Sequence, residues 1–338
     1  MIIRMELGES SYDIVLERGC LKKAGELLNL DRRVFILTDD GVPAQYAETV
    51  AEQCRESHIH TVPQGEGSKS VAVLEELLTE MLELGFTRGD CVCSVGGGVV
   101  GDLGGFTAAC YMRGIDFYNI PTTILSQVDS SIGGKTAVNL GGVKNIVGAF
   151  WQPKKVLIDP DTLDTLSDRQ KASGLAEAVK AGLIADPELF AMFEAYAEHR
   201  APLDLEKIIA ASLMVKKNVV EQDEREGGVR KILNFGHTIG HGIESVTGLL
   251  HGECVAMGMI PMCSPAVRSR LIPVLGALRL PARVHADPNE VYKAMLHDKK
   301  MGDGYVSIVS VDTVGNYNIQ KIDPAVLRYG IEVVVDPN

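Results

Sequence analysis

Residues 91–105, CVCSVGGGVVGDLGG, carry the strongest local indication of how this chain folds. The run Cys91–Val95 is short and apolar, which predicts a buried strand. Gly96, Gly98 and Gly101 follow in the spacing G-x-G-x-x-G, where a helix is predicted to begin. Such a turn allows backbone N–H groups to approach a pyrophosphate at the helix amino terminus. A closely packed strand–helix junction without a ligand would use the same glycines, so both interpretations stay open on this motif alone.

Predicted strands and helices alternate around this turn. Strands are expected at 33–38, 58–62, 116–120 and 155–158, and helices at 21–28, 44–56, 71–84 and 124–131, after a hairpin within 1–15. This alternation is typical of a mostly parallel sheet. Because the glycine turn is not the first strand–helix turn of the chain, a variant nucleotide-binding fold is favoured over the standard one. We therefore expect an α/β, Rossmann-like domain over residues 1–159.

The composition changes near residue 160, and the second half is predicted to be mainly α-helical. Helices are expected at 168–184, 187–197, 204–220, 254–268 and 288–300, with a late hairpin formed by 305–311 and 316–322. Residues 160–338 therefore form a second predicted domain, for which the side chains described below suggest metal and substrate binding.

Composition excludes several classes of function. The chain has 338 residues and a net charge of −12, and no basic tract offsets that charge, which argues against nucleic-acid or membrane-surface binding. The chain contains no run of eighteen apolar residues, so no membrane-spanning helix is predicted. The seven cysteines include no C-x2-C pair, and we expect reduced thiols in a cytoplasmic protein.

Three histidines lie within residues 231–253, KILNFGHTIGHGIESVTGLLHGE. His237 and His241 are four positions apart, so on a helix they share one face. His251 follows the break at Gly248, where a returning segment could bring it near the other two. This pattern favours a divalent-metal site that uses imidazole nitrogens and one carboxylate from elsewhere. An amphipathic helix with two surface histidines and an unrelated third is the alternative.

Charged residues near these motifs suggest an anionic substrate. Glu177 and Lys180 are three apart on a predicted helix with apolar flanks, so both charges could enter a site rather than form a solvated pair. Gly133-Gly134-Lys135-Thr136 is not a phosphate loop, because Asp129 stands where the earlier glycine is required. The cations near the motifs are Arg113, Lys135, Lys144, Lys180, Lys216, Arg230, Lys299 and Lys300. The residues alone predict a metal- and nicotinamide-dependent enzyme acting on a polyanionic polyol.

Six blocks of the sequence resemble the 3-dehydroquinate synthases of the sugar-phosphate cyclase superfamily. They are GGGVVGDLGGFTAACYMRGI, IPTTILSQVDSSIGGKTAVN, GVKNIVGAFWQP, SGLAEAVKAG, LNFGHTIGHGIE and HGECVAMGM, in the family's order. The resemblance implies conversion of 3-deoxy-D-arabino-heptulosonate 7-phosphate to 3-dehydroquinate and phosphate in the shikimate pathway. It also implies catalytic NAD⁺, a divalent Zn²⁺ or Co²⁺ ion, a homodimer, and an NAD-binding first domain followed by a helical metal-binding domain.

The resemblance also implies roles for individual residues. The metal ligands would be Glu177, His237 and His251, and His241 would lie beside the substrate and assist proton movement. Substrate contacts would come from Arg113, Asn145, Lys180, Lys216, Arg230, Asn234, His241 and one of Lys299 and Lys300. The NAD⁺ site would include Asp39, Glu66, Lys69, Gly97, Gly98, Asp102, Thr122, Thr123, Lys144 and Asn145. Asp129 and Lys135 would lie between nicotinamide and substrate, and the catalytic set would be Arg113, Asp129, Lys135, Lys180 and His241.

The sequence departs from the family pattern in two places. Gly41 stands where the family often has Asn, which affects one expected contact to the ribose or adenine. The segment around Glu177 is AEAVKAG where AEVIKYG is common, which leaves Glu177 and Lys180 in place. Three alternatives stay open: a cyclase acting on another phosphorylated sugar, a metal-dependent polyol dehydrogenase, and a non-catalytic nucleotide-binding sensor.

Overall fold

The computed structural model describes residues 1–297, 301–302 and 304–337. The chain divides into two compact units, the first covering Met1–Leu166 and the second beginning at Ser167. The boundary predicted near residue 160 falls within the 3₁₀ segment Pro160–Thr165.

The first unit is built on a seven-stranded sheet. Its strands are β1 (Ile2–Met5), β2 (Tyr12–Leu16), β3 (Arg33–Asp39), β4 (Glu56–Val62), β5 (Cys91–Gly96), β6 (Asp116–Pro121) and β9 (Lys155–Ile158), and its helices are α1 (Ala24–Leu27), α2 (Ala44–Ala51), α3 (Val71–Glu83) and α4 (Gly98–Cys110). The order of the strands across the sheet is β1-β2-β9-β6-β5-β3-β4. Only the pair β1–β2 is antiparallel among the described pairs of this sheet. The predicted α/β fold with a mostly parallel sheet is therefore confirmed.

Both faces of this sheet are covered by apolar side chains. On β3, Val34 and Ile36 pack into one core cluster, whereas Phe35 and Leu37 pack into the other. Side chains alternate between the two faces of a strand, so this division places one cluster on each side of the sheet. Every residue of β5 is buried, as expected for a central parallel strand.

The glycine-rich turn joins β5 to α4 as predicted. Gly97 lies between the last residue of the strand and the first residue of the helix. A Cβ atom at Gly104 would overlap Ser94 Oγ, and one at Gly105 would overlap the Thr136 side chain. These glycines therefore allow α4 to lie closer to its neighbours than a helix with larger side chains could.

Some segments of the first unit differ from the sequence prediction in extent or in type. The helix expected over 124–131 is present at 124–130, but its residues Ser126–Ser130 are π-helical rather than α-helical. A hairpin for which no strands were predicted is formed by β7 (Lys135–Leu140) and β8 (Val143–Phe150). Gly141 and Gly142 connect these strands with φ values of 60° and 78°. A two-residue turn with positive φ at both positions matches the right-handed twist of the two strands that it joins.

The second unit is mainly helical, as predicted. Its helices are α5 (Asp168–Ala185), α6 (Pro187–Ala197), α7 (Leu205–Gln222), α8 (His237–Thr247), α9 (His251–Met259), α10 (Pro265–Ala277), α11 (Pro288–His297) and α12 (Leu327–Val334), and its strands are β10 (Val284–His285), β11 (Met301–Gly302), β12 (Tyr305–Thr313), β13 (Asn316–Ile322) and β14 (Val335–Asp336). None of the helices in the described part of the chain has the length and apolar character needed to span a membrane.

The prediction of a single helix over 254–268 is wrong. α9 begins earlier, at His251, and a 3₁₀ segment, Ile260–Met262, separates it from α10. Pro261 lacks an amide hydrogen and so cannot continue the α-helical hydrogen bonding. Ser264 then caps α10 by accepting a 3.3 Å hydrogen bond from the Val267 N–H.

Candidate active site

Four side chains of the second unit converge on one point. The ligand atoms of His237, His241 and His251 all lie within 4.8 Å of one another. Glu177 Oε1 lies 3.6 Å from His237 Nε2 and 3.3 Å from His251 Nε2. The structure thus brings together the three predicted ligands and His241, from helices α5, α8 and α9.

A close approach between α9 and α5 brings His251 to Glu177. The N–H of Gly252 donates a 3.1 Å hydrogen bond to Ser173 Oγ, and a Cβ on Gly252 would overlap the carbonyl oxygen of Ser173. Ser173 lies one helical turn before Glu177, so the start of α9 rests directly on the turn that carries the carboxylate. A glycine beside His251 is therefore a geometric requirement of the site.

Glycines also bring α8 against α9. A Cβ at Gly258 would overlap the carbonyl oxygen of Gly236, and one at Gly240 would lie 3.0 Å from the Cys254 carbonyl oxygen. Gly236, with a φ of 78°, directly precedes α8, which begins at His237. The small residues on the facing turns therefore place the histidines of α8 beside the start of α9.

Hydrogen bonds fix the orientation of two imidazole rings. His237 Nδ1 lies 3.0 Å from the Phe235 carbonyl oxygen, and His251 Nδ1 lies 3.0 Å from Glu244 Oε2. A carbonyl oxygen only accepts, so the proton of neutral His237 is assigned to Nδ1. Both rings then present Nε2 toward Glu177, which is the arrangement a metal-ligating histidine requires.

Glu177 is a buried carboxylate with unusual partners. Its side chain is 1% exposed, and neither carboxylate oxygen has a hydrogen bond of normal geometry within the described residues. The ammonium group of Lys180 contacts Oε2, and the two imidazoles lie at ion-pair distances from Oε1. A buried carboxylate needs a compensating charge, and two histidines with one carboxylate form a donor set typical of zinc enzymes. The residues present therefore fit a divalent metal ion.

The raised pKa of His251 also supports a divalent metal ion at this position. Burial opposes its protonation, but the interactions of its ring nitrogens with the Glu177 and Glu244 carboxylates outweigh burial and raise its pKa to about 9. The two carboxylates thus favour positive charge at this position, which a divalent cation would also supply.

Three cationic side chains predicted to contact substrate are almost completely buried in the second unit. Lys180 on α5 is 2% exposed, Lys216 on α7 is 8% exposed and Arg230 in the 3₁₀ segment Val229–Asn234 is 1% exposed. Arg230 donates from Nη1 to the Glu224 carbonyl oxygen, and Asn234 donates a 2.7 Å hydrogen bond to Glu226. Lysine and arginine are rarely buried, so this concentration favours an anionic ligand.

Predicted cofactor residues of the first unit occupy the carboxyl ends of three neighbouring parallel strands. Asp39 ends β3, Gly97 follows β5 and Thr122 follows β6. Burial raises the pKa of Asp39, whose carboxylate accepts a 2.9 Å hydrogen bond from the Gly41 N–H. The carboxyl edge of a parallel sheet is where nucleotides bind in such folds.

Several of the remaining predicted residues of the first unit contact one another. Lys69 is buried and its ammonium contacts Asp102 on α4. Asn139 links two more of them, because it donates to Glu66 and accepts from the backbone N–H of Asn145, each at 2.8 Å. The other positions are Gly98 at the start of α4, Thr123 before the π-helical turn, Asp129 within that turn, Lys135 at the start of β7 and Lys144 on β8. Arg113, in a 3₁₀ turn with a φ of 68°, precedes β6 and therefore lies at the opposite, amino edge of the sheet, so within the first unit it is not brought to the predicted cofactor residues. Lys299 and Lys300 lie outside the described residues.

Sequence reasoning missed two acidic residues that hold this site in place. Glu244 binds the His251 ring, and Glu253 accepts hydrogen bonds from Arg169 and from the Leu250 N–H at the start of α9. Glu244 could have been found, because it lies three positions after His241 and therefore on the same helical face. The partner of Glu253 is 84 positions away and no local pattern indicates it.

Comparison with known proteins gives consistent results along the chain. The 3-dehydroquinate synthase N-terminal family matches residues 59–173, and the 3-dehydroquinate synthase C-terminal family matches residues 174–301. A 3-dehydroquinate synthase from Geobacter sp. is 41% identical over 343 residues, with 95% of each chain covered.

Two solved structures resemble the chain over almost its whole length. One is a 2-deoxy-scyllo-inosose synthase complexed with carbaglucose-6-phosphate, NAD⁺ and Co²⁺, with a TM-score of 0.87, 25% identity, and coverage of 98% of this chain and 99% of that one. The other is a 2-epi-5-epi-valiolone synthase from Streptomyces hygroscopicus subsp. jinggangensis with NAD⁺ and Zn²⁺ bound, with a TM-score of 0.85, 28% identity, and coverage of 97% and 96%.

Proposed function

The chain belongs to the 3-dehydroquinate synthase family, and we propose that it converts 3-deoxy-D-arabino-heptulosonate 7-phosphate to 3-dehydroquinate and inorganic phosphate. It is then a carbon–oxygen lyase of the shikimate pathway, which leads to the aromatic amino acids. The observation that carries this proposal is the convergence of Glu177, His237 and His251 in a chain so similar to the family's members.

We propose that Glu177, His237 and His251 hold a Zn²⁺ or Co²⁺ ion and that the glycine turn of the first unit binds NAD⁺. When bound, NAD⁺ accepts a hydride from a ring carbon and later returns it, and the metal ion lowers the pKa of the hydroxyl group on that carbon. The nearby Glu244 carboxylate keeps the His251 ring in one orientation. The Lys180 ammonium is buried in contact with Glu177. This contact supports a role for Lys180 as a second positive charge beside the metal ion, where it interacts with a substrate oxygen.

His241 is proposed to move protons rather than to bind metal. Its ring centroid lies 5.3 Å from that of His237 and 5.8 Å from that of His251, so it is close enough to reach a group held there. Lys180 joins it as a catalytic residue. For substrate binding we propose residues of the second unit: Lys180, Lys216, Arg230, Asn234, and Lys299 or Lys300. The burial of Lys180, Lys216 and Arg230 supports a carboxylated and phosphorylated ligand.

In the first unit the proposed NAD⁺ contacts are Asp39, Glu66, Lys69, Gly97, Gly98, Asp102, Thr122, Thr123, Asp129, Lys135, Lys144 and Asn145. The position of several of them at the carboxyl edge of the parallel sheet supports this assignment. Arg113, Asp129 and Lys135 are also proposed as catalytic residues, and Arg113 and Asn145 as substrate contacts.

We propose that the active enzyme is a homodimer. Exposed apolar side chains on the hairpin β7–β8, at Leu140, Val143, Ile146 and Phe150, support an association surface there. Sedimentation equilibrium should give twice the 36.4 kDa chain mass, and Ile146→Asp should reduce it to the single-chain value. A wild-type protein that sediments as a single chain at micromolar concentration contradicts the proposal.

We also propose that the enzyme works in the cytoplasm. All seven cysteines are free thiols, and five of them are buried, which is consistent with a reducing compartment. Fractionation of cells that produce the protein should recover it in the cytoplasmic fraction with seven titratable thiols after denaturation.

The function is tested by incubating purified protein with the heptulosonate phosphate, NAD⁺ and Zn²⁺ or Co²⁺. We expect release of phosphate without accumulation of NADH, since the proposed reaction has no net oxidation. Steady accumulation of NADH would instead identify a polyol dehydrogenase. Phosphate release only from glucose 6-phosphate or sedoheptulose 7-phosphate would identify a cyclase with another substrate, and no turnover with intact nucleotide binding would identify a sensor.

A further inference from the structure

Glu244 makes a direct contact with one of the proposed metal ligands. Its Oε2 lies 3.0 Å from His251 Nδ1, and its side chain is 15% exposed. The opposite ring nitrogen of His251, Nε2, lies 3.3 Å from Glu177 Oε1. The imidazole is therefore held between two carboxylates, one at each nitrogen.

The contact follows from the local sequence. His237, His241 and Glu244 are separated by four and three positions on α8, so they project from one helical face. Gly248, with a φ of 66°, ends α8 and allows the chain to return, and α9 begins three residues later at His251. One short helix thus supplies a proposed ligand and also the carboxylate that orients another.

The two proposed histidine ligands are held in different ways. The Nδ1 of His237 faces the carbonyl oxygen of Phe235, which is neutral, whereas the Nδ1 of His251 faces a carboxylate. A carboxylate makes the ring that donates to it more basic and therefore a better electron-pair donor to a cation. It also adds a second negative charge near Glu177, whose own charge is partly offset by the contacting Lys180 ammonium, and this favours a cation at the histidines.

We propose that Glu244 is a positioning residue for the metal ion: it accepts the Nδ1–H of His251, fixes the ring with Nε2 directed at Glu177, and strengthens metal binding through its charge. This inference rests on the proposed function, because it requires His251 to be a ligand. Glu244 is not itself a ligand in this scheme, and its effect reaches the metal only through His251.

The experiment measures the Co²⁺ dissociation constant of metal-stripped protein by competition with a chromophoric chelator. Glu244→Ala is expected to weaken Co²⁺ binding by about 10- to 100-fold, the range seen when the partner of a ligating histidine is removed. Glu244→Gln retains an oxygen that can accept the Nδ1–H but has no charge, so we expect a smaller loss, about threefold to tenfold. The visible absorption bands of bound Co²⁺ should also change in Glu244→Ala, which a purely structural role would not predict.

Two further variants separate the possible outcomes. Glu332→Gln changes an exposed glutamate of α12 in the same unit and should bind Co²⁺ as the wild type does. His251→Ala should lose most of the affinity. If His251→Ala binds weakly but both Glu244 variants bind within twofold of the wild type, the role of Glu244 is refuted and the metal site stands. If His251→Ala itself binds normally, the metal assignment under the proposal fails.

The circular dichroism spectrum of each metal-free variant shows whether that variant is folded. If Glu244→Ala does not fold, Glu244→Gln decides the question, because it preserves shape and one acceptor. Wild-type affinity in a folded Glu244→Gln, with an unchanged Co²⁺ spectrum, would then refute the contribution of the charge.

Discussion

The Arg169 guanidinium binds Glu253 through two parallel hydrogen bonds, Nε to Oε1 at 2.7 Å and Nη2 to Oε2 at 2.8 Å. Arg169 lies in the first turn of α5, and Glu253 lies in the first turn of α9, two residues after His251. Glu253 also accepts the Leu250 N–H at 2.9 Å. The pair therefore connects the amino terminus of α9, which carries His251, to α5, which carries Glu177.

Replacing Arg169 with Ala should loosen this connection. We expect the free energy of unfolding to fall by about 1 kcal/mol, since Arg169 is largely exposed and solvent screens such pairs. We also expect Co²⁺ affinity to fall several-fold, because His251 would be held less firmly beside Glu177. Urea denaturation and chelator competition measure the two effects.

The pair between Arg270 and Glu194 is a matched control. It has the same geometry, with hydrogen bonds of 2.7 and 2.9 Å, but it joins α10 to α6. Arg270→Ala also removes the contact of the guanidinium with the Phe190 ring, at 5.4 Å, so it should lower stability by at least as much and leave Co²⁺ affinity unchanged. Equal effects of the two variants on Co²⁺ binding would contradict a specific role for Arg169.

Gly252→Ala should be one of the most damaging small substitutions in the second unit. The new Cβ would overlap the backbone oxygen of Ser173, which cannot move without shifting α5 or α9. We expect a loss of about 1–3 kcal/mol in unfolding free energy, as for overpacked cores, together with weaker Co²⁺ binding. Urea titration of the metal-free protein measures the first effect.

Gly276→Ala provides the comparison for that variant. Gly276 lies in α10, and nothing lies within 4 Å of a Cβ built there. Alanine is a better helix former than glycine, so we expect stability to rise by about 0.5–1 kcal/mol. A destabilised Gly276→Ala protein, or a Gly252→Ala protein of wild-type stability, would show that the packing argument is wrong.

The roles of the clustered histidines can be separated by substitution. His241→Ala should keep Co²⁺ affinity within about threefold while lowering kcat by about 10²–10⁴, the range for loss of a general acid or base. His237→Ala should lose the metal. Phosphate release and chelator competition on the same samples give both quantities. Loss of metal from His241→Ala would make His241 a ligand, which its position in the cluster also permits.

The sequence predicted the parts of the fold that local patterns determine. The run Cys91–Val95 and the glycines after it predicted β5, the turn and α4, because apolar runs and glycine spacing act over neighbouring residues. The hairpin β7–β8 was missed, since most of β8 is exposed and lacks the apolar alternation of a half-buried strand. The break at Pro261 was missed because apolar periodicity continues across it, although proline is itself a signal of a helix end.

The site was harder to predict than the fold. The spacing of His237 and His241 indicated a shared helical face, but it did not identify the carboxylate partner. Glu177 was assigned only through the resemblance to a family, because the contact that brings α9 to α5, between Gly252 and Ser173, joins residues 79 positions apart. Close helix contacts of this kind depend on the whole packing arrangement and leave no periodic signal in the sequence.

Metal binding should strengthen with pH until His251 loses its proton. Its pKa is raised from 6.5 to about 9 in the folded, metal-free protein, because Glu177 and Glu244 outweigh the effect of burial. The charged ring therefore stabilises the metal-free fold fully below about pH 6.5, and this stabilisation is lost as the pH rises through about 9. A metal ion needs the Nε2 electron pair, so binding must displace this proton.

We therefore expect the Co²⁺ dissociation constant to fall by about tenfold per pH unit between pH 7 and 8.5 and to level off near pH 9. Chelator competition in buffers that do not bind cobalt measures this slope, after correction for the chelator's own protonation. Glu244→Gln removes one of the two carboxylates that raise the pKa of His251, so its curve should level off at a lower pH. A wild-type dissociation constant that stays constant from pH 7 to 9 would mean that no ligand is protonated in the metal-free protein.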